Sequence, residues 1–402
     1  MEKLKEFALK INIHDYYYPV MMIVYVLTLI SFNIFRPGIV SAVFMVCIVA
    51  LAFLKGLIPS FKKMSAPDMI MGIYIIYNIL SVIWVTVHGY PVSVYLGELF
   101  TTALPMIFYF YGRGAGEKER DRFYTVFILS VLFIGIVGII LYITSPAVYL
   151  DYLFEHDFIS KADTSTMRVR MQSLIGSTLL GYLGVASMLI SMYFIEKEKG
   201  KAGKLIFVLS TVIAIMSNQR AAMAAAILII VYLNVLVFFT YRLADRKYFI
   251  GELAVLIAVF AAFAIFFRGV ILKIYYRLVS LPQAIGERSD QWVGAANNMT
   301  NIWLGNGLGV NGHRAIGINK YVIADGGLAK LYCEMGIIGT ALFIFLVILI
   351  LKRGVRDLKK YSAEAGLIVI TLIMCTGSNM LSFALATPIL YYTFGVIAGG
   401  RE

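Results

Sequence analysis

Apolar residues run along this chain in blocks, mostly of 17–25 positions, punctuated by short clusters of Lys, Arg, Gly and Pro. A helix of that length crosses the ~30 Å hydrocarbon core of a bilayer. A transmembrane barrel would instead alternate apolar and polar positions in short segments. The pattern predicts an all-α polytopic membrane protein of about twelve spans, the whole chain 1–402 forming one membrane domain. The spans fall near 17–35, 38–54, 68–88, 92–112, 123–144, 172–195, 204–216, 219–240, 248–267, 327–351, 363–378 and 385–400. The last two share one apolar run, broken only by "TGSN" and Pro388. Two connections are long enough to carry chemistry, 145–171 and 268–326. The first span follows the basic "MEKLKEFALK" and reads as a retained anchor.

Composition agrees with this pattern: 60% of residues are hydrophobic and 14% charged, with mean hydropathy +0.84. The net charge of +12 would suggest nucleic acid in a soluble chain. In a membrane protein it reflects Lys and Arg concentrated in cytoplasmic loops, so the expected partners are lipids and no nucleic acid. Cys47, Cys333 and Cys375 lie in apolar stretches without metal-ligand spacing and read as small buried hydrophobes. No metal or cofactor is expected.

Placing the N-terminus in the cytoplasm puts 23 of the 35 cations in short inner loops, and both termini inside. The 12 that remain outside include eight arginines: Arg36, Arg168, Arg170, Arg220, Arg268, Arg277, Arg288 and Arg314. Topology does not require arginine there. Its planar fork suits bidentate binding of phosphate better than a lysine point charge.

The candidate site gathers around these arginines. "SNQRAAMAAAILIIVYLNVLVFF", 217–239, sets Arg220 at the outer start of a span, where the helix N-terminus already favours anions. In the large outer loop Arg288, Trp292, Ala295, Met299 and Trp303 recur at three-to-four spacing, predicting an amphipathic helix with its tryptophans at headgroup depth. "GNGLGVNG" is either an anion-binding nest or a loop with unusual dihedrals. Asp325 stands where a helix N-cap would, at the start of "ADGGLAKLYCEMGIIG". Glu334 lies two turns into that span, spaced to pair with Lys330, and is equally a structural group or a site residue. Glu98 sits at similar depth in the fourth span with the same two readings. Arg168, Arg170, Arg277, Arg314 and the loop histidine His313 complete the substrate-binding candidates.

In order and sidedness these motifs resemble the bacterial O-antigen polymerase and O-antigen ligase superfamily. "SNQRAAM" is similar to its "SxxRg" span start, "RSDQW…GNGLG" to its arginine–tryptophan–glycine outer loop, and "ADGGLAKLYCEMGIIG" to its "DNGyl…yexGiiG" helix. The resemblance implies a C-type glycosyltransferase architecture with a large, partly helical outer loop. It implies a polymerase of undecaprenyl-pyrophosphate-linked oligosaccharide units at the outer face of the plasma membrane, working with a flippase and a chain-length regulator. Arg220 and Arg288 match the motif arginines; Asp325, Gly326 and Glu334 match the helix start. Together with the chemistry above, this gives Arg220, Arg288 and Asp325 as catalytic candidates. Ligases of the superfamily carry a histidine where this chain has Asp325, and His313 lies twelve residues earlier, which favours polymerase over ligase. A proline often found before the glycine-rich loop is missing. A flippase for lipid-linked sugars is the alternative of another class, and it predicts charges along a path through the bilayer.

Overall fold

The computed structural model describes residues 12–30, 37–60, 63–144, 170–196, 200–240 and 281–400, with positions 272, 275, 276 and 279. The expected span 248–267 and most of the loop 145–171 lie outside them. The described residues form an all-helical membrane bundle: α1 (Ile13–Ile30), α2 (Pro37–Leu54), α3 (Ala66–Leu80), α4 (Val82–Val87), α5 (Val92–Glu98), α6 (Phe108–Gly114), α7 (Glu117–Thr144), α8 (Ser177–Glu196), α9 (Gly200–Met216), α10 (Arg220–Thr240), α11 (Leu281–Asn297), α12 (Gly327–Arg356), α13 (Leu358–Met374) and α14 (Thr387–Gly399).

Five helices among the described residues are long and apolar enough to cross a membrane: Ala66–Val87, Val92–Gly114, Glu117–Thr144, Ser177–Ile195 and Gly327–Arg356. Ile39–Leu54 and Arg220–Val235 are shorter apolar helices. The expected last span departs most from its reading. α14 has only 13 residues, about 20 Å of helix, and every residue from Thr387 to Ala398 is buried. It is a core helix, apolar all round because protein surrounds it.

Two of the expected spans are broken, each for a readable reason. Between α5 and α6 the chain passes through a π-helical turn, Leu99–Ala103, and a 3-10 turn, Leu104–Ile107. Pro105 has no N–H to offer the carbonyl of Thr101, so the ladder opens there. The Thr387 hydroxyl donates to that carbonyl at 3.2 Å. The second break is inside α12, where Gly336 adopts φ 62° and ψ −167°.

Glycines allow the closest approach. An added Cβ on Gly395 would stand 1.9 Å from the carbonyl oxygen of Tyr109, and one on Gly112 would stand 2.1 Å from that of Tyr392. α6 and α14 therefore cross backbone to backbone, the small-residue packing favoured in membranes. Beside this seam Tyr17, Tyr18, Phe108, Phe123, Tyr124 and Tyr392 build an aromatic core, with Phe123 and Tyr392 stacked at 3.9 Å.

Charge separates by end. At one end Asp68 receives Arg113 at 2.5 Å and the Tyr109 hydroxyl at 2.8 Å. Glu364 there receives Arg120 at 2.5 Å and Tyr124 at 2.6 Å, and Asp15 pairs with Arg122 at 3.6 Å. Gly399 packs on Arg113, so both extremities of the described chain meet at this end. Arg170, Arg220, Arg288 and Asp325 occupy the other. Of the cysteines, Cys333 and Cys375 are buried as expected, whereas Cys47 is exposed on the outer flank of α2, and all three are free thiols.

Candidate functional site

The site is built where α12 begins. Gly326 precedes the helix with φ 125°, a conformation that L side chains rarely adopt, and it takes the cap position expected of Asp325. No side chain caps the helix, and the Asp325 carboxylate turns elsewhere. It accepts a hydrogen bond from Nη2 of Arg288 at 2.7 Å. Nη1 of Arg288 donates to the carbonyl of Gly377 at 3.2 Å. The segment before α12 is held through its own carbonyls: Trp292 Nε1 donates to Asp325 O at 2.7 Å, and Asn379 Nδ2 to Ala324 O at 2.9 Å and Ile323 O at 3.1 Å.

α11 carries Arg288 and Trp292 and ends at Asn297, before the Met299 and Trp303 that the spacing included. The stripe does not lie wholly on headgroups. Ala295 is buried with Ile323 and Cys333 in a small second core, against which Trp292, Met299, Tyr321 and Tyr332 pack. Trp303, 59% exposed, alone keeps the character of a membrane-facing tryptophan.

The start of α10, with Arg220, comes close to this place from another element. The chain turns at Ser217–Gln219, with Asn218 at φ 48° and Gln219 Nε2 bonded to Ser177 Oγ at 2.6 Å, and α10 starts at Arg220. A Cβ added to Gly377 would lie 3.4 Å from Arg288 Nη1 and 3.9 Å from the Ala221 Cβ. The first turn of α10 thus borders the Arg288–Asp325 pair. Arg170 arrives on a strap whose next residue, Met171, bonds the carbonyl of Met216 at 3.1 Å, four residues before Arg220. The Nε atoms of Arg170 and Arg220 are buried without a hydrogen-bond partner.

Glu98 and Glu334 are not part of this group. They flank Lys330, and the three residues are 3–4% exposed. Lys330 Nζ bonds Glu98 Oε1 and the Ser382 hydroxyl, the latter at 2.7 Å, and stands 3.8 Å from Glu334. Thr102 donates to Glu98 at 2.9 Å and the backbone N–H of Asn311 to Glu334 at 3.2 Å. This cluster sits beside both helix breaks.

The glycine-rich loop is the partner of the second break. Gly336 frees the carbonyls of Cys333 and Glu334, which accept from Asn306 N at 2.9 Å and Gly307 N at 2.8 Å. Beyond the break, Ile337 N bonds Ile302 O at 2.9 Å and Ile338 N bonds Trp303 O at 3.1 Å. Of the two readings of "GNGLGVNG", these bonds, together with that of Gly305 N to Asn301 O at 2.8 Å, spend the N–H groups of Gly305, Asn306, Gly307 and Asn311 inside the protein. The anion that Asn311 meets is the chain's own Glu334. Arg314 lies across Gly97 beside Glu98, with His313 exposed next to it, on the roof of the buried cluster rather than beside Arg288. Arg168 and Arg277 lie outside the described residues.

Magnitudes separate the two charged groups. The side chains of Arg288 and Asp325 are 29% and 41% exposed, and an ion pair so placed contributes about 0–1 kcal/mol. A ligand oxygen can compete for that arginine. Two of its five N–H donors are engaged, and the rest remain for an incoming group. Separating the sealed Lys330 from its carboxylates would cost several times more. Chemically, then, the accessible end offers guanidinium donors beside one carboxylate, at the starts of two helices. Among the described residues no three His, Cys, Asp or Glu side chains converge as metal ligands.

Asn379 and Ser382 were not among the sequence candidates. "TGSN" signalled a break between spans, and nothing in its spacing pointed to the start of α12. No protein-family model matches the chain, and no curated protein matches it.

Proposed function

We propose that this chain is a glycosyltransferase of the O-antigen polymerase kind, acting on undecaprenyl-pyrophosphate-linked oligosaccharides at the outer face of a bacterial plasma membrane. The observation that carries the reading is the accessible Arg288–Asp325 pair, with the Arg220 end of α10 bordering it. The resemblance in "SNQRAAM", "RSDQW" and "ADGGLAKLYCEMGIIG" supports it, because those three stretches converge on this one place. Both chain ends are then cytoplasmic, and a flippase and a chain-length regulator are the working partners.

In this reading Arg220 and Arg288 hold the diphosphate while its prenyl tail stays among lipid, and Arg170 adds charge nearby. Arg168 and Arg277 support them from the outer loops. The acceptor sugar hydroxyl attacks the anomeric carbon, the bond from that carbon to the diphosphate oxygen breaks, and the leaving diphosphate carries the electron pair. Arginine donors fixed in advance stabilise the charge that grows there. The hydroxyl proton passes to Asp325, which the diphosphate releases by drawing Arg288 toward itself.

Arg288→Lys and Arg220→Lys keep the charge and lose the fork. Each is expected to lower polymerisation by on the order of 10²–10³, the cost of removing one preorganised donor. The check is the glycan ladder in cells lacking the native gene, with membrane levels of each variant measured alongside. A ladder of wild-type length from both variants would overturn the assignment. Finished polymer left on its lipid carrier in the deletion strain would make the protein a ligase. Lipid-linked units that never reach the outer leaflet would make it a flippase.

A further inference from the structure

We propose that Trp292 and Asn379 are positioning residues that fix Asp325 against Arg288; the catalytic part of this inference rests on the reading above. Three successive carbonyls, those of Ile323, Ala324 and Asp325, precede α12 without helical partners. Each receives a side-chain N–H instead: Ile323 and Ala324 from Asn379 Nδ2, Asp325 from Trp292 Nε1. The anchoring is doubled by backbone bonds from Gly327 N to Ser378 O at 3.1 Å and from Leu328 N to Cys375 O at 3.3 Å. A clamp of this kind sets where the Asp325 side chain leaves the backbone.

Three features mark the clamp as more than packing. Gly326 is the hinge beside it, and its missing Cβ is what admits the indole: an added Cβ would stand 2.4 Å from Trp292 Nε1. The donors also come from the two elements that touch Arg288. Trp292 is one turn along α11 from it, and Asn379 is two residues from the Gly377 carbonyl that accepts its Nη1. One rigid unit therefore holds both halves of the ion pair. Finally, Asn379 Oδ1 is buried with no donor, so the residue is a costly filler for a core position and a useful one only through its amide N–H. Reversing the amide would bring oxygen against two carbonyls, which fixes its orientation.

The test uses the full-length protein in lipid nanodiscs, with Trp292→Phe removing one N–H and Asn379→Ala removing the amide. Asn379→Leu, close in volume and without an amide, serves where the alanine variant folds poorly. Hydrogen exchange is followed at the amides of 322–328, and turnover is followed on a lipid-linked repeat unit. The expected result is faster exchange confined to that segment, thermal unfolding that stays cooperative, and kcat lower by roughly 10–100-fold with KM held. Wild-type exchange at 322–328 in both Trp292→Phe and a folded Asn379 variant would overturn the clamp, whatever the activity. A KM rise with kcat held would overturn positioning in favour of substrate contact. Faster local exchange in a protein whose wild type transfers no sugar would support the clamp and sink the glycosyltransferase reading alone.

Discussion

At the scale of the residue, Lys330 decides whether the buried charges are tolerable. Two carboxylates, Glu98 and Glu334, share this one ammonium in the interior, each aided by a neutral donor: Thr102 for the first, Asn311 N–H for the second. Removing one member of such a cluster strands the others, at a cost of about 3–5 kcal/mol. Lys330→Met is therefore expected to lower the melting temperature sharply in detergent. Pairing it with Glu98→Gln should recover much of the loss, since the double variant strands one carboxylate instead of two. Equal melting of wild type and Lys330→Met would contradict a sealed network. The i,i+4 spacing made the Lys330–Glu334 contact legible in the sequence. Glu98 was visible only as an ionisable group in an apolar run, because its partner lies 232 positions away.

At the scale of the element, the glycine-rich loop and the broken helix are one device. Gly305 has φ 77°, and an added Cβ would stand 2.4 Å from the carbonyl oxygen of Glu334; the same construction on Gly336 meets Trp303 O at 2.4 Å. Each glycine makes room for the other strand. Gly317 provides a control, with φ 80° and nothing within 4 Å of an added Cβ. Gly317→Ala should cost only the left-handed backbone penalty of about 1–2 kcal/mol. Gly305→Ala should exceed it by roughly 1–3 kcal/mol, the price of overpacking. Thermal unfolding of the two variants side by side measures the difference, and equal losses would dissolve the interlock. Apolar periodicity located α7, α8, α10 and most of α12 well, because lipid-facing and core-facing positions alike are apolar. It could not locate the breaks at Pro105 and Gly336. A break is stable only where a distant group, here Thr387 or the 301–307 loop, satisfies the freed carbonyls.

At the scale of the molecule, the two ends are chemically unlike. One is tied by Asp68–Arg113 and Arg120–Glu364, pairs whose carboxylates are buried; the other leaves Arg288 and Asp325 accessible. The cation count along the chain anticipated this division, since charge bias depends on loop composition alone and not on tertiary contacts. It did not anticipate which arginines of one group meet: the count placed Arg314 on the same side as Arg288, yet it settles over Glu98. Sidedness is therefore the proposition on which the diphosphate reading depends. Asp290, exposed on α11, and Lys118, exposed at the start of α7, mark the two ends. In a Cys47→Ser background, with Cys333 and Cys375 buried, Asp290→Cys should react with a membrane-impermeant maleimide applied to intact cells. Lys118→Cys should react only once the plasma membrane is opened. The reverse pattern would place Arg220 and Arg288 in the cytoplasm, where an outward-facing lipid diphosphate could not reach them.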